Sequence, residues 1–201
     1  MSGPEALPGT VAGRPDRALH AWEEAAVEAV RGRIGEDLLE VRAGPDLAVL
    51  IIRPGAIVET AKALRAAAPE VTFSFLLDVT AVDYSQYLEP QPERFAVVWH
   101  FLDLVRGRRL RVKAYVPDGA ALPSLSGEHP AADWAEREVF DLMGIPFTGH
   151  PNLTRILMPD DYQGHPQRKD FPVTGPDRAR RLQGEMQGNK PLVSWKELHE
   201  L

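Results

Sequence analysis

The stretch from residue 145 to residue 201 places the strongest constraint on how this chain can fold. It holds seven of the chain's 18 prolines and keeps neither a helical nor a strand period. Proline lacks a backbone N–H and fixes its own φ, so regular elements are interrupted along the whole stretch. Irregular segments of this length are rare inside compact domains and are usually functional or disordered.

Disorder explains the first part of this stretch poorly, because seven large apolar side chains fall within it: Phe147, Leu153, Ile156, Leu157, Met158, Tyr162 and Phe171. We therefore interpret residues 145–175 as an extended arm that buries these side chains on another protein, followed by a C-terminal tail over 176–201. An arm wrapped over its own domain is the alternative.

Residues 16–144 have the periods of a regular domain, and we expect residues 1–15 to form a mobile leader. Apolar spacing predicts one helix from an N-cap at Asp16, a second from Ile57 that stops at Pro69, and a third over 131–143. Pro130 marks the start of the third helix, and Gly144 is its expected C-terminal cap. Apolar runs predict strands over 38–42, 47–53, 73–82 (read as buried), 95–104 and 109–116. This order predicts the α+β class, with an open, mostly antiparallel sheet and helices packed on it.

The third predicted helix carries several ionisable side chains. With about 100° per residue, Glu136 falls within the apolar arc, where a carboxylate needs a partner. Arg137, Glu138 and Asp141 fall on the opposite side. The i, i+4 spacing of Arg137 and Asp141 predicts an ion-paired helix surface rather than an acid–base site.

Composition excludes several kinds of chemistry. The absence of cysteine excludes disulfides, thiolate nucleophiles and thiolate-held iron–sulfur clusters. No Gly-rich phosphate loop follows a strand, and no histidine has a second ligand at metal spacing. The longest apolar run, Leu47 to Ile52, is far below the ~20 residues that span a bilayer. We expect a soluble, cytoplasmic chain that reaches a membrane only through a partner.

A local excess of positive charge lies between Arg94 and Lys113, with a net charge of +5. Such a patch can contact phosphates, with Tyr115 as a stacking residue. The alternative is a solvated hairpin face that also protects a sheet edge. The overall charge of −6 and a net −5 over residues 114–149 weaken the nucleic-acid hypothesis. His100 is interpreted as a core or rim histidine.

A long motif in the second half of the chain resembles a known family. It starts with ADWAEREVFDLMGI at 132–145, continues through GHP at 149–151, RIL at 155–157 and GHP at 164–166, and ends with RKDFP at 168–172. With LDVT at 77–80 and VDY at 82–84, it is similar to the 30 kDa subunit family of respiratory complex I, the NADH-quinone oxidoreductase. The resemblance covers roughly residues 71–175, and residues 1–70 match only in pattern.

This resemblance implies a peripheral-arm subunit on the cytoplasmic side of the cell inner membrane. Such a complex passes electrons from NADH through FMN and iron–sulfur clusters to a quinone, coupled to proton translocation. The resemblance also implies that this chain binds no cofactor and is not catalytic alone. FMN and the clusters would lie in partner subunits, and the nearest partners would form the quinone site and hold the terminal clusters. An equivalent subunit of a membrane-bound hydrogenase or formate hydrogenlyase, and an independent nucleic-acid-binding module, are the alternatives.

The partner interface is expected along the third helix and the arm. Charged groups there would supply charge-assisted hydrogen bonds, and Phe171, with Phe147, Leu153 and Ile156, would supply apolar anchors. The polar residues predicted to contact partners are Glu136, Arg137, Glu138, Asp141, His150, Arg155, His165, Arg168, Lys169 and Asp170.

Overall fold

The structure is a computed structural model that describes residues 17–68 and 71–173. The predicted leader, the N-cap at Asp16 and the tail over 176–201 lie outside the described residues. The helices are α1 (Ala21–Ile34), α2 (Ile57–Arg65) and α3 (Ala132–Met143). The strands are β1 (Leu38–Ala43), β2 (Ala48–Ile52), β3 (Phe75–Asp83), β4 (Phe95–Asp103), β5 (Arg108–Val116), β6 (Leu122–Pro123) and β7 (Phe147–Thr148).

Five strands form one sheet in the order β1-β2-β5-β4-β3. Neighbouring strands are antiparallel, except that β2 and β5 run parallel, with Val49 opposite Arg111 and Ile52 opposite Ala114. The parallel pair arises because the chain passes through α2, β3 and β4 before β5 returns to the centre of the sheet. The predicted α+β class with a mostly antiparallel sheet is confirmed. A short parallel pair, β6 with β7, joins the segment before α3 to the start of the arm.

The main core lies between one face of the sheet and residues from all three helices. On β5, Leu110, Val112, Ala114 and Val116 are fully buried in this core, which confirms the predicted alternation. The opposite face, which we call the open face, has a separate small cluster around Ile51, and no helix residue belongs to it in the described part of the chain.

Three predicted elements differ from the structure. The second helix was predicted to run to Pro69, but α2 ends at Arg65, and Ala68 instead forms an isolated antiparallel bridge with Val71. Residues 17–20 are not helical, and α1 begins only at Ala21, because the buried carboxylate of Glu23 accepts the N–H of His20 at 2.8 Å and pairs with Arg17 at 2.5 Å. β3, predicted as a buried strand, is an edge strand on which Phe75 and Leu77 are 41% and 42% exposed. Apolar content alone could not reveal its position in the sheet order.

Candidate functional site

The contact between α3 and the arm is organised by Asp141, whose side chain is fully buried. Its Oδ2 accepts the backbone N–H groups of Ile156, Leu157 and Met158 at 3.0, 2.8 and 2.8 Å. Its Oδ1 accepts a hydrogen bond from Arg155 Nη1 at 2.5 Å. Burial alone would raise the pKa of Asp141, but these N–H groups and Arg155 hold it below its ordinary value.

The predicted ion pair between Arg137 and Asp141 is therefore wrong, because Asp141 is directed into the arm. Arg137 donates instead to the Thr154 carbonyl, the Thr154 hydroxyl and the Arg155 carbonyl, each at 3.1 Å. Arg155 in turn donates to the carbonyls of Tyr162 and Gly164 at 3.1 and 3.0 Å. Two guanidinium groups thus fix the backbone of the arm between residues 154 and 164.

The C-terminal end of α3 is closed by the arm. Gly144 ends the helix with a left-handed φ of 75°, as its sequence position predicted. His165 Nδ1 lies 2.8 Å from the carbonyl oxygen of Asp141, and the Gln167 N–H donates to the Leu142 carbonyl at 3.0 Å. Two of the last carbonyls of α3, those of Asp141 and Leu142, therefore find their partners in the arm.

His150 makes a similar contact at the opposite end of α3. Its side chain is buried, with Nε2 at 3.1 Å from the Asp133 carbonyl oxygen, while Nδ1 accepts the Asn152 N–H at 3.1 Å. These partners require the proton on Nε2. His150 and His165 are thus hydrogen-bonding groups that join the arm to α3.

Glu136 is the second fully buried carboxyl group of α3. It accepts hydrogen bonds from the Ser124 hydroxyl at 2.5 Å and from the Leu125 N–H at 2.7 Å, so the predicted need for a partner is met. Burial raises the pKa of Glu136 above its ordinary value, although both hydrogen bonds favour the charged form. This group connects α3 to the segment that follows β6.

We expect Glu136→Gln to change the pH dependence of stability. A carboxyl group with a raised pKa in the folded state stabilises the fold only at low pH, and this contribution is lost as pH rises from about 4.3 through the folded pKa. Glutamine cannot ionise, so the variant should gain stability relative to the natural chain as pH rises from about 4 to 8. Urea unfolding across this range measures the difference. The exposed Glu138→Gln on the same helix is the control, and an identical pH slope in both variants would contradict the prediction.

The end of the arm is held by Asp83, at the end of β3. The buried carboxylate accepts the Ser85 and Lys169 N–H groups, each at 2.9 Å, and pairs with Arg94 at 3.1 Å. Burial alone would raise the pKa of Asp83, but Arg94 and these N–H groups hold it well below its ordinary value. Arg94 also pairs with Asp118 and with Asp170 of the arm, both at 2.8 Å.

The neighbouring arm residues add weaker contacts. Arg168 pairs with Asp118, and its guanidinium lies 4.9 Å from the ring centroid of Phe95. Phe171 is half-buried and stacks on Tyr162 with ring centroids 6.1 Å apart. The Lys169 residue is exposed and is held through its backbone.

The described part of the arm, residues 145–173, thus contacts its own domain along α3 and at the end of β3. The contact of the arm with another protein stays a prediction. Five side chains that were predicted to contact a partner have hydrogen-bond partners within the chain, namely Glu136, Asp141, His150, Arg155 and His165. We call this set of contacts between α3, β3 and residues 145–173 the arm latch. Some apolar side chains next to the arm latch remain exposed to solvent: Leu157 is 56% exposed and Trp134 is 67% exposed.

Sequence reasoning missed the residues that anchor the end of the arm. Asp83 stands in the VDY fragment and Arg94 in the basic stretch, but neither pattern indicated that they meet each other and Lys169. The described residues contain no group of three or more potential metal ligands. Within the same residues, no helix has the length and apolar character needed to cross a membrane.

The fold and the site define an α+β domain whose long arm is latched by buried carboxylates. A family model described as the 30 kDa subunit of the respiratory-chain NADH dehydrogenase matches residues 50–177. This match covers more than half of the chain and includes the whole described arm. The chain belongs to this family.

Several curated relatives carry the name of one and the same subunit of NADH-quinone oxidoreductase. The relative from Cereibacter sphaeroides is 45% identical over 131 residues, which are 65% of this chain and 63% of that protein. The relative from Jannaschia sp. is 49% identical over 54% of this chain and 50% of its own length. The chain thus spans half to two thirds of these relatives. It is 42% identical to the Geotalea uraniireducens protein over 76% of this chain and 90% of that one.

Two solved structures have a similar fold. The trypsin-resistant fragment 1–134 of Nqo5 is 31% identical, with a TM-score of 0.57 over 66% of this chain and 99% of the fragment. A chain in the structure of a membrane-bound sulfane sulfur reductase, an archaeal respiratory membrane complex, has a TM-score of 0.62 over 87% of this chain and 97% of its own. That second chain is 21% identical, so it supports the fold alone.

Proposed function

We propose that this chain is a peripheral-arm subunit of an NADH-quinone oxidoreductase, bound on the cytoplasmic side of the inner membrane. The complex would pass electrons from NADH through FMN and iron–sulfur clusters to a quinone and couple this transfer to proton translocation. The observation that carries the proposal is the family match over residues 50–177, together with relatives of that name at 40–49% identity.

The contribution of this chain to the complex would be structural. A chain without cysteine has no thiolate ligands for a cluster, so FMN and the clusters would lie in partner subunits. The α+β domain would act as a platform, and the latched arm would carry the contacts to the subunits that form the quinone site and hold the terminal clusters.

The arm latch suits this role because it orders the arm before a partner arrives. Ordering loops and side chains on binding lowers affinity, and a preorganised surface avoids that cost. The groups available to a partner are those that the latch leaves outside, including Leu157, Trp134 and Glu138. The arm would therefore contact its partner through its outer surface, while its inner polar groups hold the arm in shape. We call this proposed contact between the arm and a partner subunit the clamp.

Affinity purification of the native chain, followed by mass spectrometry of its companions, tests the proposal. We expect the FMN-bearing and cluster-bearing subunits of the oxidoreductase to co-purify with NADH:quinone activity. Recovery with hydrogenase subunits would favour the related complexes, and recovery with RNA or DNA would favour a nucleic-acid-binding module. Either result, or recovery of the chain alone, would contradict the proposal.

A double replacement tests the clamp. Arg168→Ala with Lys169→Ala removes the pair with Asp118 and two positive charges from the arm, so the amount of chain retained in the purified complex should fall at least about threefold. The matched control is Arg31→Ala with Arg33→Ala on α1, where both arginines pair with surface glutamates. Full retention with full activity in the arm variant would rule out the clamp.

A further inference from the structure

The open face of the sheet carries a cavity that the proposed function does not use. Its volume is about 340 Å³, and apolar side chains such as Val49 and Ile51 lie beside four basic ones. The basic side chains come from three different strands, namely Arg42, His100, Arg111 and Lys113. We call this site the basic cavity.

Lys113 is a cation without a carboxylate partner among the described residues. Its Nζ donates to the hydroxyl oxygens of Tyr84 and Tyr115, both at 2.9 Å, and both acceptors are neutral. An ammonium group has three N–H donors, so one remains for a ligand. Burial, followed by the charges of Arg42 and Arg111, lowers the pKa of Lys113 to about 8.

Arg111 is the second cation that no carboxylate neutralises within the described residues. Its Nε donates to His100 Nε2 at 2.9 Å. Because Nε2 accepts this hydrogen bond, it carries no proton, and the imidazole of His100 is neutral. Burial and then the charge of Arg111 lower the pKa of His100. Arg42, in contrast, pairs with Glu40. The basic cavity therefore holds two positive charges beside an apolar floor, an arrangement that costs free energy until an anion is present.

We propose that the basic cavity binds an acidic side chain, Asp or Glu, from an extended segment of a neighbouring subunit. The carboxylate would accept the remaining N–H of Lys113 and the guanidinium donors of Arg111, and the apolar floor would receive the flanking side chain. The inference rests on the proposed function, because it names the partner chemistry for a subunit of a larger complex.

The same cavity is poorly suited to a nucleic acid. The Lys113 Nζ lies 4.9 Å from the ring centroid of Tyr84 and 4.2 Å from that of Tyr115, so both rings are engaged within the chain rather than presented for base stacking. Tyr115 is also buried. The net charge of −6 repels a long polyanion, whereas one carboxylate makes only a local contact.

The first test compares the reactivity of Lys113 in the full-length free chain and in the purified complex. Acetic anhydride at pH 8 should label Lys113 in the free chain, and the label is quantified for each lysine by mass spectrometry. We expect Lys113 to react at least about tenfold more slowly in the complex, because an ion-paired and covered amine is a poor nucleophile. Lys62, which pairs with Glu59 on α2, is the internal reference.

The second test asks whether the covering partner is acidic. Arg111→Glu should speed loss of the chain from the complex in salt about tenfold, and Arg111→Lys should restore retention. Arg109→Glu is the matched control, since Arg109 lies on the same strand, is exposed and does not line the cavity.

The outcomes separate this inference from the proposed function. If the chain is present in the complex but Lys113 stays as reactive as in the free chain, the acidic contact is refuted and membership of the complex stands. Equal effects of Arg111→Glu and Arg109→Glu would also refute it. If succinate slows the labelling of Lys113 in the free chain, the ligand of the basic cavity is a small acid rather than a partner subunit. If a single-stranded oligonucleotide slows it, the ligand is a nucleic acid. Either result would overturn the inference. A chain absent from the complex would refute the proposed function itself.

Discussion

Asp141→Ala is expected to lower the free energy of unfolding by about 3–5 kcal/mol, the cost of removing one partner from a buried charge pair. The substitution leaves Arg155 without its carboxylate and leaves three successive N–H groups, those of Ile156, Leu157 and Met158, without an acceptor. Denaturant unfolding of the purified chain measures the loss. Limited proteolysis should show faster cleavage between residues 155 and 165.

Asp141→Asn is the matched control, because it keeps the size of the side chain and removes the charge. It should be less damaging than Asp141→Ala and should change the response to acid. The lowered pKa of Asp141 contributes stability that is present above about pH 4, the unfolded value, and is lost as pH falls through the folded pKa. The asparagine variant lacks this acid-dependent loss. Equal stability of all three chains would contradict the role assigned to Asp141.

Gly144→Ala is the second substitution with a large expected effect, about 2–4 kcal/mol of lost stability. The φ of 75° disfavours any residue with a Cβ, and a Cβ built here would lie 2.5 Å from Cδ2 of His165. The imidazole would have to move, which breaks its hydrogen bond to the Asp141 carbonyl. The measurement is again the midpoint of denaturant unfolding.

Two other glycines separate the causes of this effect. Gly149 has a φ of 80° and open space where a Cβ would lie, so Gly149→Ala should report backbone strain alone, about 1–2 kcal/mol. Gly127 has neither a positive φ nor a close neighbour, so Gly127→Ala should be nearly neutral. If Gly144→Ala costs no more than Gly149→Ala, the close approach of His165 is not important.

The sequence predicted the elements of this fold much better than the contacts between them. Helix periodicity and the Pro130 and Gly144 boundaries located α3 almost to the residue, since these signals are local. The assignment of Asp141 to a surface pair was wrong for the same reason. Reasoning at i, i+4 considers only the helix itself, and the partners of Asp141 come from residues 155–158.

The contacts of Asp83 show most clearly which contacts cannot be predicted from local sequence patterns. Its N–H donor at Lys169 is 86 residues away, and no local period or spacing relates the two positions. The place of β3 at the sheet edge is also non-local, because it follows from β5 inserting between β2 and β4. The resemblance to a known family indicated that 168–172 matters, but it did not indicate that this segment returns to its own sheet.

The closure of α3 by the arm has a consequence for folding during synthesis. When the chain has been synthesised only as far as Gly144, the arm does not yet exist. The carbonyls at the end of α3 then lack the donors that the arm supplies, and Asp141 lacks its partner Arg155. The required groups, Arg155 to Met158, His165 and Gln167, emerge up to 23 residues later. The domain therefore cannot reach its final stability until the arm has been made, so chains truncated before the arm should be open to proteolysis.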